Sequence, residues 1–217
     1  GPALLIALNI AEAAGIAAME PGGEAYLHTL AEAIKLAFDD RNAYFGDPDF
    51  ARVPGKALLS KAYAAQRAKL IGAKASLDHR YGDPWAMEGG ERPTPAFMPH
   101  MLKKPPVPTA DTTAIEVVDR HGNLFSCTPS SGWMLGGAYI AGDTGVPMSN
   151  RMTVFDLDPE SPNVLAPGKR PRTTLSPSMV MKDGAPYLAI GTPGGDNQDQ
   201  RAARDEGQRE CRPHHHD

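Results

Sequence analysis

The sequence predicts an α+β protein, on the strength of three observations. Apolar residues recur at helical spacing through the first 71 positions, short β-patterned runs follow Thr112, and a proline- and glycine-rich stretch separates the two regions. The expected organisation is therefore helices in 1–71, a linker in 72–111, a β-sheet region in 112–200 and a polar, disordered tail in 201–217.

Each element has its own signal. Residues 3–14 are apolar except for Asn9 and Glu12, which predicts a largely buried helix that stops at Gly15, with Pro2 suited to its first turn. From Glu24 to Tyr44, Leu27, Leu30, Ala31, Ile34 and Phe38, followed by Phe45, recur at helical spacing and predict one apolar face. Gly46-Asp47-Pro48-Asp49 ends that helix. A third helix, 60–71, starts from a serine cap and is expected to carry Lys61, Arg67 and Lys69 on its solvated side. Between 72 and 110 no period is sustained, and the repeated Pro and Gly predict a linker or mobile loop. A segment that must be cleaved is built this way.

Past Thr112 the period changes to that of strands. Residues 114–118, the turn Arg120-His121-Gly122-Asn123 and residues 124–128 predict a β-hairpin. A glycine-rich loop at 131–137 and a mixed stretch at 150–157 lead to strands at 178–181 and 187–190 around an Asp183-Gly184 turn. The basic run 167–177 looks phosphate-binding, but Asn163 stands where a P-loop has its first glycine.

Composition excludes several classes of function. A net charge of -4 argues against nucleic acid as an obligate partner, and no apolar run reaches the roughly 18 residues of a membrane span. Cys127 and Cys211 are too few for a disulfide framework or a cysteine-based zinc site. His214-His215-His216, without a second ligand cluster, reads as flexible surface rather than a metal site. The opening Gly-Pro lacks a starter Met or a basic leader, so the expectation is a piece of something longer without a signal peptide, and no compartment is assigned.

The junction at Thr112 carries a chemical possibility. If the chain is cut after Asp111, Thr112 holds both a hydroxyl and a free α-amine, whose pKa of roughly 8 lets it take the hydroxyl proton near neutral pH. Alone, Asp-Thr-Thr before a strand is more often a turn with β-branched residues starting a sheet. Gly194-Gly195 exposes consecutive backbone N–H groups that suit an oxyanion hole, although a plain turn is the commoner use. A serine hydrolase of the nucleophile-elbow kind is disfavoured, since no Gly-x-Ser-x-Gly occurs.

Thr112-Thr113 before Val117-Val118-Asp119 and Gly122-Asn123, then Pro167-Gly168-Lys169-Arg170-Pro171, Thr173-Thr174, Ser176-Pro177 and Pro193-Gly194-Gly195 come in one order. That order and spacing resemble the γ-glutamyltranspeptidase family of N-terminal-nucleophile hydrolases. Asp39-Asp40-Arg41 and the run 44–50 resemble the end of that family's large subunit, and the resemblance spans residues 1–200. It implies an αββα sandwich, incomplete in this chain, whose large and small subunits come from one precursor that cuts its own Asp111-Thr112 bond. It further implies an amide hydrolase or acyltransferase that forms an acyl-enzyme on Thr112, needs no metal or organic cofactor, and takes a small-molecule γ-glutamyl or related acidic amide. Ser130 falls where the family tunes its nucleophile, Gly194 and Gly195 where it holds the oxyanion, and Thr173 and Thr174 where it binds the substrate carboxylate.

The departures from the family pattern redirect the substrate. Gly132, Arg151 and Val154 stand where well-known members hold the α-ammonium of the glutamyl group, so the expected donor is not an ordinary γ-glutamyl amide. Arg151 is expected to prefer an acidic or ammonium-free acyl group. Ala114 replaces the histidine commonly found two residues past the nucleophile. The family's segment before residue 1, with its carboxylate-binding arginine, has no counterpart here, and 201–210 are polar where the family runs on into apolar elements. The alternative reading is a non-catalytic truncated remnant of the same fold.

Overall fold

The computed structural model describes residues 1–89, 112–132, 136–195, 198 and 202–203. Helices α1 (Pro2–Ala13), α2 (Glu24–Tyr44), α3 (Gly55–Leu58), α4 (Lys61–Ala68) and α5 (Trp85–Glu88) come first, followed by strands β1 (Ile115–Val118), β2 (Leu124–Cys127), β3 (Ser178–Lys182) and β4 (Ala185–Ile190). The fold class is the expected α+β. Among the described residues no helix is long and apolar enough to cross a membrane.

Helix α1 buries Leu4, Ile6, Ala7, Ile10 and Ala11, a stripe at helical spacing, against α2 and α4. Gly15 stops it as expected, at a left-handed φ of 79° that favours glycine. Helix α2 has the predicted bounds and part of the predicted face: Leu30 and Ile34 are buried, and Phe38 and Phe45 pack against the core. Leu27 and Ala31 are exposed, whereas Tyr26, Leu30, Ala33, Ile34, Leu36, Ala37 and Tyr44 are buried, together with Glu32, Asp39, Asp40 and Arg41. Counting apolar residues alone misplaces Leu27 and Ala31 because part of the buried surface is charged.

Those charges explain two further corrections. Arg67, expected on the wet side of the third helix, is buried; its Nε donates to Asp40 Oδ2 at 3.0 Å and its Nη2 to the Leu36 carbonyl at 3.3 Å. The Ser60 cap does hold, accepting from Tyr63 N at 3.1 Å, but α4 ends at Ala68. Residues 72–89, expected as a linker, are instead tied to α2 by polar bonds. Ser76 N donates to Glu32, Arg80 N to Asp39 Oδ2 at 2.8 Å and Gly82 N to Asp40 Oδ1 at 2.9 Å, while Arg80 Nη2 pairs with Glu32 at 2.6 Å. The segment ends in α5 with Trp85 buried. Burial pushes the Glu32 carboxyl up, but hydrogen bonds from Lys35, Arg80 and Ser76 outweigh it and hold the group below its ordinary value. For Asp40 burial wins, and its carboxyl lies above its ordinary value despite Arg67.

The strands form two antiparallel hairpins. Ile115 faces Cys127 and Val118 faces Leu124 in the first; Ser178 faces Ile190 in the second, which has an irregularity between Val180 and Met181. Asp119 fixes the first turn by accepting from His121 N at 2.8 Å and Asn123 N at 2.9 Å. The second turn sits on Asp183 and Gly184, both left-handed, as a two-residue hairpin turn requires. Positions 90–111 and 204–217 lie outside the described residues; of the expected polar tail, Ala202 and Ala203 are buried against the helical core.

Candidate active site

Thr112 sits half-buried at the head of β1, where Thr113 N donates to the Pro129 carbonyl at 3.2 Å and sets the strand start against the segment after β2. That pairing brings the Thr112 and Ser130 hydroxyls into a hydrogen bond, with the oxygens 3.1 Å apart. Ser130 Oγ also accepts from Gly132 N at 3.1 Å and from Arg151 Nη2 at 2.9 Å. Four of the residues singled out from the sequence, Thr112, Ser130, Gly132 and Arg151, therefore meet around one oxygen.

Close backbone approach makes this possible. Gly132 has φ of 87°, and a Cβ there would lie 2.1 Å from Asn150 Oδ1, so only glycine lets the two segments run together. Asn150 N donates to the Ser131 carbonyl at 3.1 Å, and Arg151 N to Ser149 Oγ at 3.1 Å, which fixes the start of the 3-10 helix Arg151–Val154.

The Thr173-Thr174 pair lies on a separate segment. Thr174 Oγ1 is buried with no hydrogen-bond partner among the described residues, while the exposed Thr173 accepts from Leu175 N at 3.1 Å. Two side chains that the sequence reading did not single out for the site hold this segment. Buried Asn163 donates from Nδ2 to the Val154 carbonyl at 2.7 Å and accepts from Arg172 N at 3.3 Å, which joins the Arg151 helix to the residues before Thr173. Buried Gln198 has its amide between the carbonyls of Thr174 and Thr192, donating to each over 3.1 Å. No hydrogen bond among the described residues joins Thr173 or Thr174 to Thr112.

A third tie crosses from the helical half. Arg170 donates from Nη2 to Asp47 Oδ1 at 2.5 Å and to Asp49 at 2.6 Å, and from its backbone N and its Nε to Asp47 Oδ2 at 2.8 and 3.0 Å. The cleft beside it, about 190 Å³, is lined by Phe45, Gly46, Pro48, Pro171 and Arg172 as well as the pair itself. The Arg170 hydrogen bonds hold the Asp47 carboxyl far below its ordinary value. A carboxyl depressed by folding contributes its stabilisation above the ordinary carboxylate pKa and loses it only as pH falls through the depressed value. Asp47→Asn is thus expected to lower the melting temperature by a similar amount at pH 7 and at pH 4. Thermal melts at the two pH values check this, and a difference that vanishes by pH 4 contradicts it.

Gly194 and Gly195, with φ of 130° and 59°, follow the end of β4. Gly191 packs so closely there that a Cβ would lie 3.2 Å from Ala114 Cβ and 2.2 Å from Glu116 Oε1. Asp111 and residues 133–135 of the glycine-rich loop lie outside the described residues.

Helices packed beside antiparallel hairpins, with a threonine hydroxyl heading the first strand, make this an α+β fold of N-terminal-nucleophile hydrolase type. The chain belongs to the gamma-glutamyltranspeptidase family, whose model matches residues 1–204. It is 37% identical over 196 residues to the glutathione hydrolase-like YwrD proenzyme of Bacillus subtilis, covering 90% of this chain and 33% of that protein. Among solved structures it resembles LmbA2991T421A, with a TM-score of 0.80 and 36% identity, covering 99% of this chain and 36% of that one. It also resembles the cephalosporin acylase from Bacillus halodurans, with a TM-score of 0.73 and 29% identity, covering 94% and 32%. The chain thus spans about a third of the length of the curated relatives it matches.

Proposed function

We propose that this chain carries the nucleophile region of an amide hydrolase or acyltransferase of γ-glutamyltranspeptidase type, which matures by cutting its own Asp111-Thr112 bond. The observation that carries the reading is the Thr112–Ser130 hydrogen bond, because it places a hydroxyl partner on the one oxygen the chemistry needs. In maturation Thr112 Oγ1 attacks the Asp111 carbonyl carbon, the C–N bond breaks, and the hydroxyl proton ends on the freed nitrogen. Water then hydrolyses the resulting ester and leaves Thr112 with a free amine.

In turnover that amine accepts the Oγ1 proton as the oxygen bonds to the substrate carbonyl. Gly194 and Gly195 N–H groups hold the oxyanion, each contributing about 3 kcal/mol of transition-state stabilisation. The intermediate collapses by breaking its C–N bond, the leaving amine takes the proton back from Thr112, and water or an acceptor amine resolves the ester. The buried, unpartnered Thr174 hydroxyl supports a role in binding the carboxylate end of the substrate, with Thr173 beside it.

Among the described residues no carboxylate pairs with Arg151, and neither Gly132 nor Val154 can hold an ammonium. The donor is accordingly an acidic or ammonium-free acyl amide. Likeness to both a glutathione hydrolase-like proenzyme and a cephalosporin acylase supports an acyl site that is not confined to glutamyl groups. Mass spectrometry of the purified chain tests maturation: fragments 1–111 and 112–217 are expected, and an intact chain overturns the proposal in favour of a non-catalytic remnant. For the donor, glutaryl-p-nitroanilide, which lacks the α-amine, is expected to turn over about tenfold faster than γ-glutamyl-p-nitroanilide, the worth of one modest charge repulsion. Faster turnover of the glutamyl compound would contradict the assignment of Arg151.

A further inference from the structure

We propose that Gln198 is a positioning residue that sets the span between the carboxylate-binding hydroxyls and the oxyanion N–H groups. This rests on the reading of Thr173-Thr174 and Gly194-Gly195 as those two subsites. Gln198 is 1% exposed, and its amide lies between the Thr174 and Thr192 carbonyls, 3.1 Å from each. The Ser176 N–H approaches the same end of the amide at 3.3 Å, but two carbonyls at the shorter distance turn the nitrogen toward them. An amide nitrogen has two protons, one for each carbonyl. The backbone N of Gln198 donates in addition to the Gly195 carbonyl at 3.1 Å. One residue thus ties Thr174 to both ends of the turn 192–195.

The turn needs such a clamp. Glycine restricts its own backbone least, so the direction of the Gly194 and Gly195 N–H groups, at φ of 130° and 59°, depends on what holds the ends of the turn. The bonded carbonyls of Thr192 and Gly195 bracket both N–H groups along the chain. Just ahead of them Gly191 seats the turn on the nucleophile strand, so close that a Cβ would lie 3.2 Å from Ala114 Cβ. The same amide places Thr174, whose buried hydroxyl has no partner among the described residues. A donor with a carboxylate at one end and its scissile carbonyl at the other is held at two points, and Gln198 fixes both. Misplacing such points by about 1 Å can cost about 10²-fold in rate.

Gln198→Met keeps the length of the side chain and removes both donors. Two p-nitroanilides that differ by one carboxylate, glutaryl and butyryl, are compared on the self-cut full chain. The parent is expected to favour the glutaryl compound by about 10- to 100-fold in kcat/KM, the range for a hydrogen bond to a charged group. Gln198→Met is expected to shrink that preference to about threefold or less, with most of the loss on the glutaryl compound. Gln198→Glu, equal in shape, is expected to lose the preference as well, since an oxygen then meets two carbonyl oxygens. Gln198→Asn keeps the amide one methylene short and is expected to retain an intermediate preference. It carries the test if the other two variants do not fold, and cutting at Asp111-Thr112 reports folding in each.

Equal slowing on both compounds is what a merely structural role predicts, and it overturns the proposal. So does a parent-like preference in Gln198→Glu, which would make shape rather than donation the requirement. In both cases the subsites stand, because the parent's preference reports them. A parent that stays uncut, or that turns over the two compounds alike, overturns the subsite reading and the proposal with it.

Discussion

Thr112→Ala is expected to give a single uncut band of 217 residues and to lower amide turnover by about 10⁴-fold or more, the scale on which removal of a covalent nucleophile acts. Two effects compound in that one change. The oxygen that would form the acyl-enzyme is gone, and without the cut the nitrogen stays an amide and cannot serve as a base. The loss does not come from unfolding: Thr112 is half-buried and its hydroxyl has one mapped partner, so the variant forfeits about 1 kcal/mol of stability. Thr112→Ser retains the oxygen and is expected to keep both cutting and turnover at a reduced rate. A denaturing gel and a chromogenic amide assay check the pair of variants. Cutting or turnover by Thr112→Ala at the parent rate removes the basis of the mechanism.

The sequence makes local order legible and long-range polar order nearly invisible. Helix α2 and both hairpins follow from spacing between neighbours, and Gly15 and the Asp183-Gly184 turn from backbone conformations that few residues adopt. Leu27, Ala31 and Arg67 were misplaced because apolar periodicity assumes that charges face water, whereas α2 buries Glu32, Asp39 and Asp40 beneath 72–89. The latter segment has no hydrophobic pattern to read, since backbone N–H groups bound to carboxylates order it.

The site shows the same division. Motif order rather than periodicity points to Thr112, Ser130 and Arg151, and the three meet in the structure. The sequence marks Asp47 as a helix end and as part of the family-like run 44–50, and Asn163 only as the residue that spoils a P-loop; in the structure these two hold Arg170 and Arg172 ahead of Thr173. Asp47 and Arg170 are 123 positions apart, and no spacing rule connects residues so distant.

Asp40→Ala is expected to destabilise the chain by about 3–5 kcal/mol, because it leaves a buried guanidinium without its countercharge. At about 2–4 °C per kcal/mol for a chain of this size, the melting temperature falls by about 10 °C. The Asp40 side chain is 0% exposed and that of Arg67 3%, so water cannot replace the lost partner. Gly82 N loses its acceptor in the same change. Lys61–Glu12, with side chains 67% and 66% exposed, is the internal control: Glu12→Ala is expected to cost under about 1 kcal/mol. Joint replacement, Asp40→Leu with Arg67→Met, removes both charges and is expected to recover much of the loss, since a buried ion pair is often matched by apolar residues of similar volume. Urea unfolding of the four proteins decides the matter, and an Asp40→Ala no weaker than Glu12→Ala refutes the buried-pair account. The consequence reaches the site, because α2 leads directly into Asp47 and so into the bonds that set Arg170 ahead of Thr173. A frame loosened at Asp40 is therefore expected to raise KM for the amide donor more than it lowers kcat.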